Sequence, residues 1–347
     1  MKSPARLRPF LPLLALPFVA GCDWVVMNPA GDVAKQQANL IVVSTVLMLV
    51  IIVPVMALTV FFAWKYRAQR ATPATYDPEF DHSTVLELGI WGAPLLIIIA
   101  LGALTWSSTH LLDPYRPISR ISEGKPVAAD AKPLEVQVVA LDWKWLFVYP
   151  EQGVATVNEL VVPVDRPLKF RISASSVMNS FYAPALAGQI YAMPGMETTL
   201  HAVLNKPGAY EGFSANYSGA GFSDMKFALR GVDEAGFARW AETTRKAGGA
   251  LDGQRYLQLA KPSERVPVQR FATVQPDLFT RVVGQCVEPG RACGGHGHGG
   301  GSAHGHKAEG AMARDHKPTS PHMTVPHRPE QAPGVTRPGS PANRNMS

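Results

Sequence analysis

The stretch in which residue types and spacing come nearest to a chemical site is residues 210–227, YEGFSANYSGAGFSDMKF. It is a glycine- and serine-rich loop between two strand-like runs, in the place and shape of a metal-binding loop. A soft metal centre there requires thiolate sulfur and imidazole nitrogen. The loop offers Ser214, Asn216, Ser218, Phe222 and a single Met225. What the chain does depends on why this loop is so poor in donors.

Three other places carry groups that could do chemistry. Lys2, Arg6 and Arg8 precede the apolar run 10–20, the layout of a secretory signal, and the run closes on Val19-Ala20-Gly21-Cys22. Small residues directly before a cysteine look like a bacterial lipobox, and cleavage before Cys22 would leave a lipid-modified N-terminus outside the cytoplasm. The alternative is an ordinary signal peptide with an incidental cysteine. Glu87 is the second place. Thr84-Val85-Leu86-Glu87 fits a capping box, with Thr84 as cap. An ionisable group just inside a bilayer also marks a proton route or a partner contact. The third is the tail, where His296, His298, His304, His306, His316, His322 and His327 follow Cys286 and Cys293. They make a candidate loose copper or zinc site. We favour a solvated tail whose two cysteines form a disulfide, because a flexible segment fixes no coordination geometry.

Positioning these residues takes a membrane part and one domain. The 347 residues are 46% hydrophobic and 17% charged, enough for both. The net charge of +6 comes largely from the tails. Basic residues scattered among acids argue against nucleic-acid binding, which gathers Lys and Arg on one face. Three cysteines are too few for a disulfide scaffold. Residues 40–64 carry no charge and 85–106 only Glu87, so each predicts a transmembrane helix. Their internal prolines, Pro54 and Pro94, are tolerated where neighbouring helices satisfy the freed carbonyls. Lys65, Arg67 and Arg70 place the connection in the cytoplasm by the positive-inside rule, so both flanking parts face the periplasm.

From Pro133 the periodicity changes to two. Residues 134–138 and 168–172 alternate apolar and polar, and 157–162, 199–204 and 225–230 are further candidate strands. Turn signals lie between them, which predicts an antiparallel Greek-key sandwich. The aromatics of Asp142-Trp143-Lys144-Trp145-Leu146-Phe147-Val148-Tyr149 serve a core or a surface patch, and burial is the commoner use. Phe237, Trp240, Ala241 and Thr244 space an amphipathic helix over 233–246, and 256–259 and 276–283 read as further short helices. Beyond about residue 288, apolar content is too low for a core and disorder is expected.

Taken in order, DWKW (142–145), YPEQGVATVNEL (149–160), SVMNSFYAPALAGQIYAMPGM (176–196) and YSGAGFSDMKF (217–227), with FAWKYRA (62–68) before them, closely resemble subunit II of the bo-type ubiquinol oxidases. The likeness covers residues 21–285. It implies a cupredoxin-like sandwich outside the membrane. In the cytochrome c-fed branch of these haem-copper oxidases that sandwich holds a dinuclear copper centre, on an upstream His and then Cys-x-Glu-x-Cys-x3-His-x2-Met. Here the positions fall on Asn179, Ser214, Asn216, Ser218, Phe222 and Met225, so five of the six donors implied are replaced. The acidic residue of a motif like His82-x4-Glu87-x3-Trp91-x2-Pro94 lies in this family near the entrance of a proton channel in the catalytic subunit, which strengthens that reading of Glu87.

The chain is therefore expected to comprise a lipoprotein signal (1–21), a periplasmic segment (22–39) with lipid on Cys22, and a transmembrane hairpin (40–107, helices about 40–64 and 85–106). A cupredoxin-like domain (130–231), a helical extension (232–287) and a disordered tail (288–347) follow. The resemblance implies a non-catalytic subunit of a bacterial inner-membrane quinol oxidase, with no cofactor or metal of its own. Haem b, haem o and copper belong to a large catalytic partner, with further small membrane subunits beside it. Rival readings are a copper-bearing cytochrome c oxidase subunit, which needs Cys at 214 and 218, and a free-standing metal-handling lipoprotein.

Overall fold

The computed structural model describes residues 24–67 and 81–294. The signal segment, Cys22 and the histidine-rich tail lie outside the described residues.

Two helices, α1 (Asp32–Lys65) and α2 (Thr84–Leu111), are each long and apolar enough to cross a membrane. Each runs past its apolar stretch at the end nearer the β-domain. The first turns of α1 bury Asp32, Ala34 and Ala38, so tertiary packing sets that end where the bilayer does not. At the other end the expected capping box is not made. Ser83 holds the N-cap position of α2 with no side-chain cap bond, and Thr84 is already helical. Glu87 is then the fourth helical residue, where the box needs the third. It remains exposed.

After a short pair, β1 (Arg120–Ser122) and β2 (Lys125–Pro126), two sheets stack face to face. The first contains β3 (Leu134–Leu141), β4 (Lys144–Tyr149), β5 (Val154–Val157), β7 (Pro167–Ala174) and β10 (Thr198–Val203). The second contains β6 (Glu159–Pro163), β8 (Asn179–Tyr182), β9 (Ile190–Ala192), β11 (Gly208–Ser214) and β12 (Lys226–Val232). Within these two sheets pairing is antiparallel except between β3 and β7 and between β6 and β12. The single strand expected over 157–162 is two. Asn158 takes φ 58°, a conformation Asn tolerates better than most residues, and there the chain passes from one sheet to the other.

Trp145, Phe147 and Tyr149 alternate into the space between the sheets, all at 0% exposure. Phe147 and Phe227 meet edge to face at 5.1 Å, and Phe181 and Phe227 stack at 5.3 Å. Fully burying each such ring stabilises by roughly 1.5–3 kcal/mol. The intervening Leu146 and Val148 are buried too, on the opposite face. What covers them is the C-terminal extension beyond its first helix. That helix, α3 (Glu234–Lys246), packs Phe237 and Trp240 against Tyr149 of the inter-sheet cluster. β13 (Ala250–Leu251), α4 (Gly253–Ala260), β14 (Gln269–Phe271), β15 (Thr273–Val274) and α5 (Leu278–Val283) supply the residues over Leu146 and Val148. β14 joins the first sheet beside β5, and Tyr256, Phe279 and Val282 pack over β3 and β4. Asp233 and Asp252 cap α3 and α4 through bonds from the amides of Gly236 and Arg255. Cys286 and Cys293 are joined as a disulfide at the end of the extension.

The segment before α1 is built into the sandwich. The amides of Ala30 and Gly31 both donate to the Ala185 carbonyl at 2.9 Å, and the Asn205 amide donates to the Ala30 carbonyl at 2.8 Å. A side chain at Gly31 would lie 2.5 Å from the carbonyl oxygens of Leu186 and Val203. Only glycine fits between them.

Candidate functional site

The donor-poor loop joins β11 to β12 at one end of the sandwich. Ser214, the last residue of β11, is 2% exposed, and Asn179, the first of β8, is 1% exposed. Ser214 Oγ donates to Asn179 Oδ1 at 3.1 Å and accepts from the Ser180 amide at 3.4 Å. Asn179 Nδ2 donates to the Val177 carbonyl at 3.2 Å, and Asn216 Nδ2 to the Met178 carbonyl at 3.2 Å. Met225 is wholly buried, and its carbonyl accepts from the Ser214 amide at 3.1 Å. Phe222 begins a single 3-10 turn and sets its ring edge-on to Tyr217 at 5.6 Å.

Ser218 uses its carbonyl to accept the Trp143 indole N–H at 3.1 Å, while its buried hydroxyl has no hydrogen-bond partner. Trp143 sits in the turn between β3 and β4 at φ 63°. That region is rare for a bulky residue and costs of order 1–3 kcal/mol. The loop holds the ring in place. A side chain at Gly221 would come within 2.6 Å of the indole, so the loop backbone lies flat on it. Nothing in the sequence pattern marks Trp143 as strained.

These residues do not fit a dinuclear copper centre. The set holds no thiolate and no imidazole, Phe222 has no lone pair to give, and the polar atoms at 179, 214 and 216 are already bonded to one another or to the backbone. Such oxygen and amide groups are poor ligands for a soft metal. Among the described residues, no three His, Cys, Asp or Glu side chains stand together as a metal site.

Two polar clusters that the sequence reading missed fasten the extension beside this loop. Glu159, 4% exposed, receives Arg270 Nε at 2.8 Å and Nη2 at 2.9 Å, with Arg230 at 3.4 Å and the Trp240 indole at 3.5 Å. Burial pushes the Glu159 carboxyl up, but Arg270, Trp240 and Arg230 together outweigh it and hold the group below the usual range. Lys144, 1% exposed, donates to the carbonyls of Asp142 and Lys261, each at 2.9 Å, and to Ser263 Oγ at 2.7 Å. Burial lowers its pKa against the opposing pull of Asp142. Both clusters join residues more than a hundred positions apart, which no local pattern can show.

Glu87 is not part of the loop site. It lies in the first turn of the 28-residue α2, whose other end meets the β-domain, roughly 40 Å of helix away.

Residues 134–232 match the family described as Cytochrome C oxidase subunit II, periplasmic domain, and residues 245–290 match the COX Aromatic Rich Motif. The chain is 48% identical over 278 residues to the cytochrome bo(3) ubiquinol oxidase subunit 2 of Pseudomonas putida, an alignment spanning 80% of this chain and 85% of that one. It is 49% identical over 265 residues to ubiquinol oxidase subunit 2 of Acetobacter aceti, spanning 76% and 83%. Among solved structures, the periplasmic domain of cytochrome oxidase subunit II from Bradyrhizobium japonicum aligns at 26% identity and a TM-score of 0.32, covering 35% of this chain and 96% of that one.

Proposed function

The chain belongs to the ubiquinol oxidase subunit 2 family, and on that footing we propose that it is the non-catalytic subunit II of a proton-translocating terminal quinol oxidase, with no redox centre of its own. The partner expected from that role is a large haem-copper subunit in the bacterial inner membrane. That subunit holds haem b, haem o and copper, oxidises ubiquinol and reduces oxygen to water. Further small membrane subunits complete the complex.

The observation that carries this reading is the Ser214–Asn179 hydrogen bond. It stands where a cytochrome c-fed subunit would need metal ligands. Electrons drawn from a membrane quinol require no copper relay in the periplasmic domain, so the loop is free to serve packing. The work left to this chain is assembly, cover for the periplasmic face of the partner, and a carboxylate at the cytoplasmic end of α2. Glu87 is the residue we assign to the proton entrance, since it is exposed, uncapped and able to face a partner. Cys22 is the residue we assign to lipid attachment.

Purification of the complex in mild detergent, with optical spectra and metal analysis, tests the proposal. Haem b and haem o co-purifying with this chain is the expected result. A purple dinuclear copper signal in this chain would favour the cytochrome c-fed branch, and a haem-free, metal-loaded monomer would favour the metal-handling lipoprotein.

A further inference from the structure

We propose that the junction between the two membrane helices and the sandwich seats one zwitterionic aminophospholipid of the periplasmic leaflet, with its phosphate on Arg116, its ammonium on Asp113 and its acyl chains between α1 and α2. Two cavities adjoin there. The upper, about 240 Å³, lies where the first turns of α1, the segment after α2 and the edge strand β10 converge, and its polar lining includes Gln36, Gln37, Asp113, Arg116, Arg120 and His201. The lower, also about 240 Å³, runs between the two helices past Leu40, Val43, Leu104 and Ser108. Gln36, Leu111 and Leu112 border both. A chamber of mixed polar and apolar lining therefore stands above a mainly apolar groove, at the level where α1 changes from polar to apolar residues. A phospholipid has that same division, and it is the molecule a membrane supplies at that depth.

Charge narrows the headgroup. Asp32 is 3% exposed and its charge is paired, because its Oδ2 accepts Arg120 Nε at 2.8 Å and Gln36 Nε2 at 2.7 Å, while its buried Oδ1 has no hydrogen-bond partner among the described residues. Burial and the charge of Lys169 push the His201 imidazole below its ordinary range, which disfavours its cationic form. Two charges on the rim are left over. Arg116 is exposed and makes no ion pair among the described residues; its Nη1 donates to the His110 carbonyl at 3.3 Å. The Asp113 carboxylate, also exposed, accepts the Tyr115 amide at 2.9 Å and makes no ion pair among the described residues. A guanidinium suits a phosphodiester through paired N–H···O bonds. The nearby carboxylate suits a primary ammonium and disfavours a second negative group. Among the described residues, one cation and one anion without an ion-pair partner on the same rim match an ethanolamine headgroup better than a glycerol one.

The test uses the complete purified oxidase, delipidated in detergent and then exposed to micelles containing phosphatidylethanolamine or phosphatidylglycerol, with bound lipid counted by native mass spectrometry. The expected result is one more tightly retained phosphatidylethanolamine in the wild-type complex than in Arg116→Ala. Affinity at that site should fall about tenfold, as loss of one charge-assisted bond implies. Ser108→Phe, which fills the groove, should remove the same lipid, and Asp113→Asn should retain it while losing the preference over phosphatidylglycerol. Unchanged retention in Arg116→Ala or in Ser108→Phe overturns the proposal, as does loss of a partner subunit with no change in lipid, which would assign the face to a protein contact. If Arg116→Ala does not assemble, the Ser108→Phe count and the Asp113→Asn selectivity still decide.

Discussion

Ser214 Oγ lies 3.1 Å from Asn179 Oδ1, and the bond between them fastens the end of β11 to the start of β8 beneath the loop. Both residues are almost closed to water, so their polar atoms rely on this bond and on the neighbouring backbone groups of Val177, Ser180 and Asn216. The loop is held by this pair and by the ring of Trp143.

Ser214→Ala leaves Asn179 Oδ1 and the Ser180 amide without this partner. A buried polar group so stranded costs about 1–3 kcal/mol. The assembled complex is expected to melt a few degrees lower with quinol turnover unchanged. Lost turnover at an unchanged melting temperature would place chemistry in the loop.

Glu159→Gln removes the charge that Arg270 and Arg230 share. The expected loss is about 1–3 kcal/mol, less than for a fully buried pair because both arginines retain solvent contact. It should appear as faster proteolysis of the extension. The Glu159 pKa is depressed in the folded chain, so the stability it contributes is present above the ordinary carboxylate value of about 4.3 and is lost as pH falls below it. Protease resistance of the extension should therefore be flat from about pH 5 to 8 and fall only in stronger acid.

Glu87→Gln keeps the size of the side chain and removes its ionisation. Turnover of the assembled oxidase should fall roughly tenfold, a change of ~1.4 kcal/mol in the barrier, with haem content and subunit ratio unchanged. Wild-type turnover in this variant would remove Glu87 from the proton path.

Reducing the Cys286–Cys293 disulfide, or replacing Cys286 by Ser, opens a ring closed over a sequence separation of 7. The loop-entropy relation puts the effect near 2.5 kcal/mol. It should be local, read as faster amide exchange over the residues after α5 with no change in turnover.

The sequence disclosed most where a single periodicity governs. The uncharged runs of α1 and α2 and the alternation in β3 and β7 carry their structure in their spacing. It misled or was silent where a second layer intervenes. Both faces of β4 are buried because the extension covers Leu146 and Val148, so alternation there conveys ring against aliphatic and not inside against outside. The end of β5 depends on one left-handed residue, Asn158, within a run that otherwise reads as continuous strand. The donor-poor character of the loop was legible residue by residue. Its closure by Ser214 and Asn179 was not, because they meet only once β8 and β11 have paired.

The insertion of Ala30 and Gly31 into the sandwich bears on how this protein is built. Ala30 belongs to the same buried cluster as Trp145 and Phe170, so a soluble fragment cut after the hairpin lacks part of its own interior. Because those residues precede the first membrane helix, they are already tethered when the strands are translocated. The sandwich then closes around a peg the membrane holds in place, with the chain at Ala185 and at Leu204–Asn205 settling against residues that were there first.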